Sequence, residues 1–111
     1  MTPEEFLIKR TPLLILAQAQ QDHATELIVD PAIPGGTCVR YKVEGRWHDW
    51  KGPDPHVVPG MIAELGRLAG FREGPFPKQG IIDLPYSGVR LRWRIRITSA
   101  EGECVLTPIQ E

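Results

Sequence analysis

Period-two alternation of apolar and polar residues is the clearest pattern in this chain, and it is densest at residues 88–98, GVRLRWRIRIT. Val89, Leu91, Trp93, Ile95 and Ile97 alternate there with Arg90, Arg92, Arg94 and Arg96. Successive side chains of a strand point to opposite faces, so the pattern predicts a strand with one apolar face and one row of guanidinium groups. A second alternating stretch, TCVRYKVEGRWHDW at 37–50, reads as a hairpin turning at Glu44-Gly45, where glycine at the second position favours a tight primed turn. Cys38, Arg40 and Lys42 share one face of its first strand. Residues 89–98 and 103–109 form another hairpin across SAEG, while TELIVD at 25–30 and IIDLP at 81–85 are shorter strands. PAIPGG at 31–36 reads as a loop and YSG at 86–88 as a turn.

Elsewhere the period is helical. In TPEE at 2–5, Thr2 reads as an N-cap, Pro3 falls in the first turn and Glu5 follows three residues after the cap. Pro12 interrupts the pattern and Thr11-Pro12 resembles a second start, which predicts a short helix near 3–10 and another from 12 to about 22. Leu13, Leu14, Leu16 and Ala17 are its expected buried stripe. Residues 59–71 carry Met61, Ile62, Leu65, Leu68 and Ala69 at helical spacing, with Gly70 as the stop. The expected order is ααβββαβββ: a single α+β domain over residues 1–111, with helices packed on a small, mainly antiparallel sheet.

Composition narrows the chemistry. With 13 Lys+Arg against 14 Asp+Glu, the formal net charge of −1 provides no general attraction to nucleic acid or an anionic membrane, so any such attraction must be local. Cys38 and Cys104 have no CxxC spacing and sit in apolar strand-like segments, which predicts free buried thiols. The start, MTPEEF, is acidic where a secretory signal needs positive charge, and LLILA at 13–17 is too short to span a bilayer. A cytoplasmic protein without membrane insertion is expected. No GxxxxGK[ST] occurs, so the chain has no P-loop for ATP phosphates. His23, His48 and His56 are isolated from any HExxH pattern. His48 and Asp49 are adjacent on a strand and therefore face opposite ways, and Ser87 and Ser99 fall in turns with no base in view. The expectation is a protein that is not an enzyme, with no catalytic residues, metal ligands or cofactor. Trp93 belongs to an apolar strand face, whereas Trp47 and Trp50 have opposite parity, so one of them faces outward as a candidate partner contact.

Several segments, taken in order from about residue 12 to 109, resemble the domain that immediately precedes the ATPase core of bacterial type II secretion and type IV pilus assembly ATPases. Residues Ala24 to Pro31, ATELIVDP, parallel that family's strand A-S-D-I-H-I-E-P, and Val39 to Gly45, VRYKVEG, parallel V-R-Y-R-I-D-G. Leu65, Leu68, Ala69, Gly70 and Phe71 mirror I-K-x-M-A-G-L, and Pro77 to Gly80, PKQG, mirror P-Q-D-G. The last hairpin, with Arg92 to Ile95 and then Gly102, Glu103, Val105 and Leu106, resembles D-x-R-V-S…H-G-E-x-V-V-L-R. The departures are specific. Ile28 stands where the family has histidine, Glu64 and Gly66 where it has arginine and lysine, and Gly74, Pro75 and Ile81 where it has arginines. The family's arginines help to sense nucleotide between neighbouring subunits, so that role does not carry over. The resemblance implies an interaction or assembly module that binds a related P-loop ATPase or secretion component, or another copy of itself.

That leaves the cations. Arg90, Arg92, Arg94, Arg96, Arg40 and Lys42 are the candidate partner-binding residues. Alternate residues on a strand face lie about 6.5 Å apart, where like charges in water repel by about 0.6 kcal/mol per pair. The row is therefore tolerable as a plain solvated face, with Asp83 and Glu103 as cross-strand carboxylates. It also suits docking of an acidic protein surface, which the resemblance favours. The alternative is a free-standing anion- or nucleic-acid-binding domain using the arginine row to track a phosphate backbone.

Overall fold

The computed structural model describes residues 2–31, 37–50, 54–72, 74–99 and 103–109. It has helix α1 (Pro3–Gln21), strands β1 (Glu26–Val29), β2 (Val39–Val43) and β3 (Arg46–Asp49), then a 3-10 turn at Pro55–Val57 leading into helix α2 (Val58–Leu68). Strands β4 (Lys78–Tyr86), β5 (Val89–Ile97) and β6 (Cys104–Pro108) follow. The strands form one six-stranded sheet in the order β3-β2-β1-β6-β5-β4, with antiparallel pairing throughout. This is the α+β class that the alternation predicts, built from two three-stranded meanders joined edge to edge by β1 and β6. The loop expected at 31–36 and the SAEG turn lie almost wholly outside the described residues.

Two expected features of the first helical region are corrected. Residues 3–21 form one helix, not two, and Pro12 sits inside it. Thr2 caps the start, its hydroxyl accepting from the Glu5 N–H at 3.2 Å. Proline at position 12 removes a single backbone donor, but its ring is buried, and Ile15, Leu16 and Ala19 beyond it are 1%, 0% and 0% exposed. Packing thus carries the helix through a residue that disfavours it. The buried stripe is also rotated from the expected one: Leu14 is 42% exposed, while Leu13 and Ala17 lie only at the margin of the core.

The Glu44-Gly45 turn has the predicted primed geometry, and the turn joining β4 to β5 shares it. Glu44 and Gly45 have φ of 51° and 80°, and Ser87 and Gly88 have 49° and 82°. Positive φ at both central residues is the primed geometry whose twist matches that of paired strands. The first nine-residue strand, β4, runs three residues further back than IIDLP alone implies, because Lys78, Gln79 and Gly80 pair with Ile97, Arg96 and Ile95. Gly80 leaves room there for Phe71, which folds across it from the end of α2: a Cβ would lie 2.5 Å from Cε1 of that ring, which would have to shift.

The helices pack on the same face of the sheet. Ile15 and Leu16 of α1 and Val58, Met61 and Leu65 of α2 share a core with Leu27, Val29, Val39, Ile82, Leu91, Trp93, Ile95, Cys104 and Leu106. Every apolar residue of the alternating strand from Leu91 to Ile97 is buried, and Trp93 is 0% exposed. Its indole N–H has no acceptor among the described residues, so Trp93 contributes volume and apolar area here.

Beyond the end of β6, the backbone of β5 has no strand partner on that side, and Gln20 of α1 takes its place. Gln20 Nε2 donates to the Arg90 carbonyl at 2.7 Å, and its Oε1 accepts from the Arg92 N–H at 3.5 Å. On α2, Glu64 is only 8% exposed and is held by Arg67 through Nε–Oε1 at 2.8 Å and Nη2–Oε2 at 2.5 Å. Those hydrogen bonds from Arg67, opposed by burial, hold the Glu64 carboxyl below its ordinary value of 4.5.

Gln20→Ala leaves the two β5 backbone groups without these partners and should cost about 1 kcal/mol, read as a lower urea midpoint, whereas exposed Gln21→Ala should stay within about 0.5 kcal/mol. For the Glu64–Arg67 pair, a lowered carboxyl value gives stability that is present above the ordinary value and lost as pH falls through the folded one. Arg67→Met should therefore be less stable than the native protein at neutral pH, with the gap closing below about pH 4.5 in denaturation series across pH.

Candidate functional site

Because both helices cover one face, the other face of the sheet is open, and strand parity decides what it carries. In β5 the core takes Leu91, Trp93, Ile95 and Ile97, so Arg90, Arg92, Arg94 and Arg96 project to the open side. In β2 the core takes Val39, with Tyr41 and Val43 packed at its margin, so Arg40 and Lys42 project the same way. The structure thus places all six predicted cations on one uncovered face, although 50 residues of sequence separate Arg40 from Arg90.

Register decides how each is compensated. Asp83 of β4 lies directly opposite Arg92; it accepts from Arg90 Nε at 2.6 Å and lies 3.7 Å from Arg92 Nε. Arg40 is opposite Asp49 and donates to it at 2.8 Å. Lys42 lies between Glu26 of β1 and Trp47 of β3, its ammonium 5.7 Å from the Trp47 ring centroid. Glu103, the other expected cross-strand carboxylate, makes no ion pair among the described residues. Neither does Arg94 or Arg96, and both are exposed. Arg94 faces Ile81 and Thr107 across the ladders, and Arg96 faces Gln79 and Val105.

Those same residues line a shallow depression of about 480 Å³ between Gln79, Ile81, Arg94, Arg96, Val105 and Thr107. Ile81 is 50% exposed at its rim. A second, smaller depression of about 290 Å³ lies on the helix side, between Ile62, Phe71, Phe76 and Ile97. Two of its basic groups are engaged internally: Arg67 holds Glu64, and Lys78 Nζ donates to the Arg72 carbonyl at 2.6 Å.

No family model matches the sequence, and no curated protein is significantly similar to it.

The remaining sequence candidates resolve as parity requires. Trp47 faces outward at 40% exposure, whereas Trp50 packs edge-on against Tyr41 at 6.1 Å. His48 stacks on Tyr41 at 5.5 Å on the side opposite Asp49, so the two form no joint site. No cluster of three or more His, Cys, Asp or Glu capable of holding a metal occurs among the described residues. None of the described helices is long and apolar enough to cross a membrane. One pair was not read from the sequence. His56 Nδ1 lies 2.7 Å from Asp54, which caps the 3-10 turn, and its Nε2 lies 3.9 Å from Glu4 of α1. The Asp54 hydrogen bond raises the His56 value. A D-P-H triplet around a helix start is the signal, but Asp54 also reads as an ordinary loop residue.

Cys38 and Cys104 are free and buried. Burial pushes the Cys104 thiol up to about 12, and burial followed by the charge of Asp30 raises Cys38 despite its proximity in sequence to Arg40. A thiolate is the reactive form, so both residues should resist iodoacetamide at pH 7.5 in the folded protein and alkylate fully once it is denatured, as counted by intact mass.

Proposed function

We propose that this protein is a non-catalytic interaction module whose open sheet face docks an acidic surface of a protein partner. The observation that carries the reading is the convergence of six cations from two distant strands on the one face that no helix covers. Two of the six, Arg94 and Arg96, have no carboxylate partner among the described residues, and an exposed apolar side chain, Ile81, lies beside them. Cations next to apolar area form a surface that complements an acidic, partly apolar protein patch. The resemblance to the domain preceding secretion and pilus ATPase cores supports the same reading and specifies the partner as a related P-loop ATPase or secretion component, or a second copy of the chain. A cytoplasmic setting accords with that partner.

The free-standing nucleic-acid reading has less support. Phosphate-tracking surfaces combine cations with exposed aromatics on which bases stack, and Trp47, the exposed aromatic of this face, lies on the far edge strand from Arg94. Asp83 and Asp49 also sit among the cations and would repel phosphates.

A pull-down from lysate of the cell of origin, at low and moderate salt, tests the proposal. The native domain should recover a P-loop ATPase or secretion component, and Arg94→Glu/Arg96→Glu should lose it while keeping its thermal stability. This pair is cleaner than one including Arg92, whose replacement also breaks the Asp83 contact. Recovery of nucleic acid alone, lost steeply as salt rises, would instead establish the alternative.

A further inference from the structure

We infer that the segment received by the Arg94–Arg96 depression is an acidic amphipathic α-helix of the partner, with two carboxylates one helical turn apart. The inference rests on the docking reading above and names the chemistry of its partner.

Charge sets the first requirement. Arg90 and Arg92 share Asp83, Arg40 has Asp49, and Lys42 lies between Glu26 and Trp47. Arg94 and Arg96 are flanked across the ladders by Gln79, Ile81, Val105 and Thr107, none of them acidic. The partner must therefore supply the negative charge, and supply it at two points.

Backbone chemistry sets the second. An extended segment laid on the face of a sheet finds no backbone partners, because the strands beneath have spent theirs in the ladder; extended segments add at edges. A helix satisfies its backbone internally and is what sheets carry on their faces. Spacing then agrees: Arg94 and Arg96 lie two residues apart on β5, about 6.5 Å, and residues four apart on a helix advance about 6 Å along its axis. Both guanidinium groups can meet carboxylates on one helix face without either chain distorting. The apolar stripe beside those carboxylates has Ile81 on the β4 side and Val105 on the β6 side to cover.

The test is fluorescence anisotropy with a labelled helical peptide of about five turns, carrying Leu at three- and four-residue spacing and two Glu four residues apart. Three altered peptides accompany it: one with both Glu replaced by Gln, one with the two Glu moved to positions two apart, and one with a central Pro. The parent peptide should bind, gain helical circular dichroism on binding, and weaken at least about tenfold with each alteration and with Arg94→Gln/Arg96→Gln protein. No binding of the parent peptide, equal binding of the Pro or Gln peptide, or tighter binding of a thymidine oligonucleotide overturns the inference. If the pull-down yields a partner sensitive to Arg94→Glu/Arg96→Glu while the peptides fail, the docking reading stands and the helical occupant does not.

Discussion

Everything in this molecule depends on the pairing of β1 with β6. Leu27 meets Leu106, Ile28 meets Val105 and Val29 meets Cys104, contacts that close a loop of more than half of the chain. Each meander alone is a three-stranded ribbon with two open edges and one apolar face. Joined, they make a sheet wide enough to seat two helices, and Leu27, Val29, Cys104 and Leu106 at the seam are all within 2% of complete burial. The entropy of closing so long a loop is offset by the core that the sheet shares with α1 and α2.

The seam also creates the cationic face. Before β1 and β6 pair, Arg40 and Lys42 belong to one ribbon and the arginines of β5 to another. The pairing places β2 and β5 three strands apart in one sheet and turns their cationic sides to the same solvent. Register then divides the cations into compensated and uncompensated. A shift by two residues in the β4–β5 ladder would keep every side chain on its face but move Asp83 from Arg92 to Arg94 or Arg90. The primed turn at Ser87-Gly88 holds that register.

What was legible in the sequence was local. Alternation located the strands and their faces, and Glu44-Gly45 located a turn, because both signals come from neighbours in the chain. The burial of Trp93 followed from parity alone. Pro12 misled because its intrinsic cost is a local quantity, while the burial of Ile15, Leu16 and Ala19 that overrides it is tertiary. The extension of β4 to Lys78 was hidden for a similar reason: glycine and glutamine carry no strand signal, and Gly80 is there to admit the Phe71 ring. The candidate cations were legible one strand at a time. That they share a face, and that Asp83 and not Glu103 answers them, depends on strand order and register, which no local pattern encodes.

The division between answered and unanswered arginines bears on why the row exists. A surface ion pair contributes little to stability, typically about 0–1 kcal/mol, so pairing Arg94 and Arg96 would gain the fold little, and leaving them unpaired costs it little. Stability therefore does not explain four arginines in alternation; lysine, glutamine or threonine would serve a solvated strand face as well. Arginine differs in presenting a planar, weakly hydrated fork that accepts apolar neighbours and binds carboxylates in a fixed orientation. Those properties matter where water is excluded, and on an open face water is excluded only when something covers it. Ile81, half exposed beside Arg94, points the same way, since apolar area there also gains only on being covered. A face that combines two arginines without a carboxylate partner among the described residues with exposed apolar area is suited to a covered state more than to the bare one.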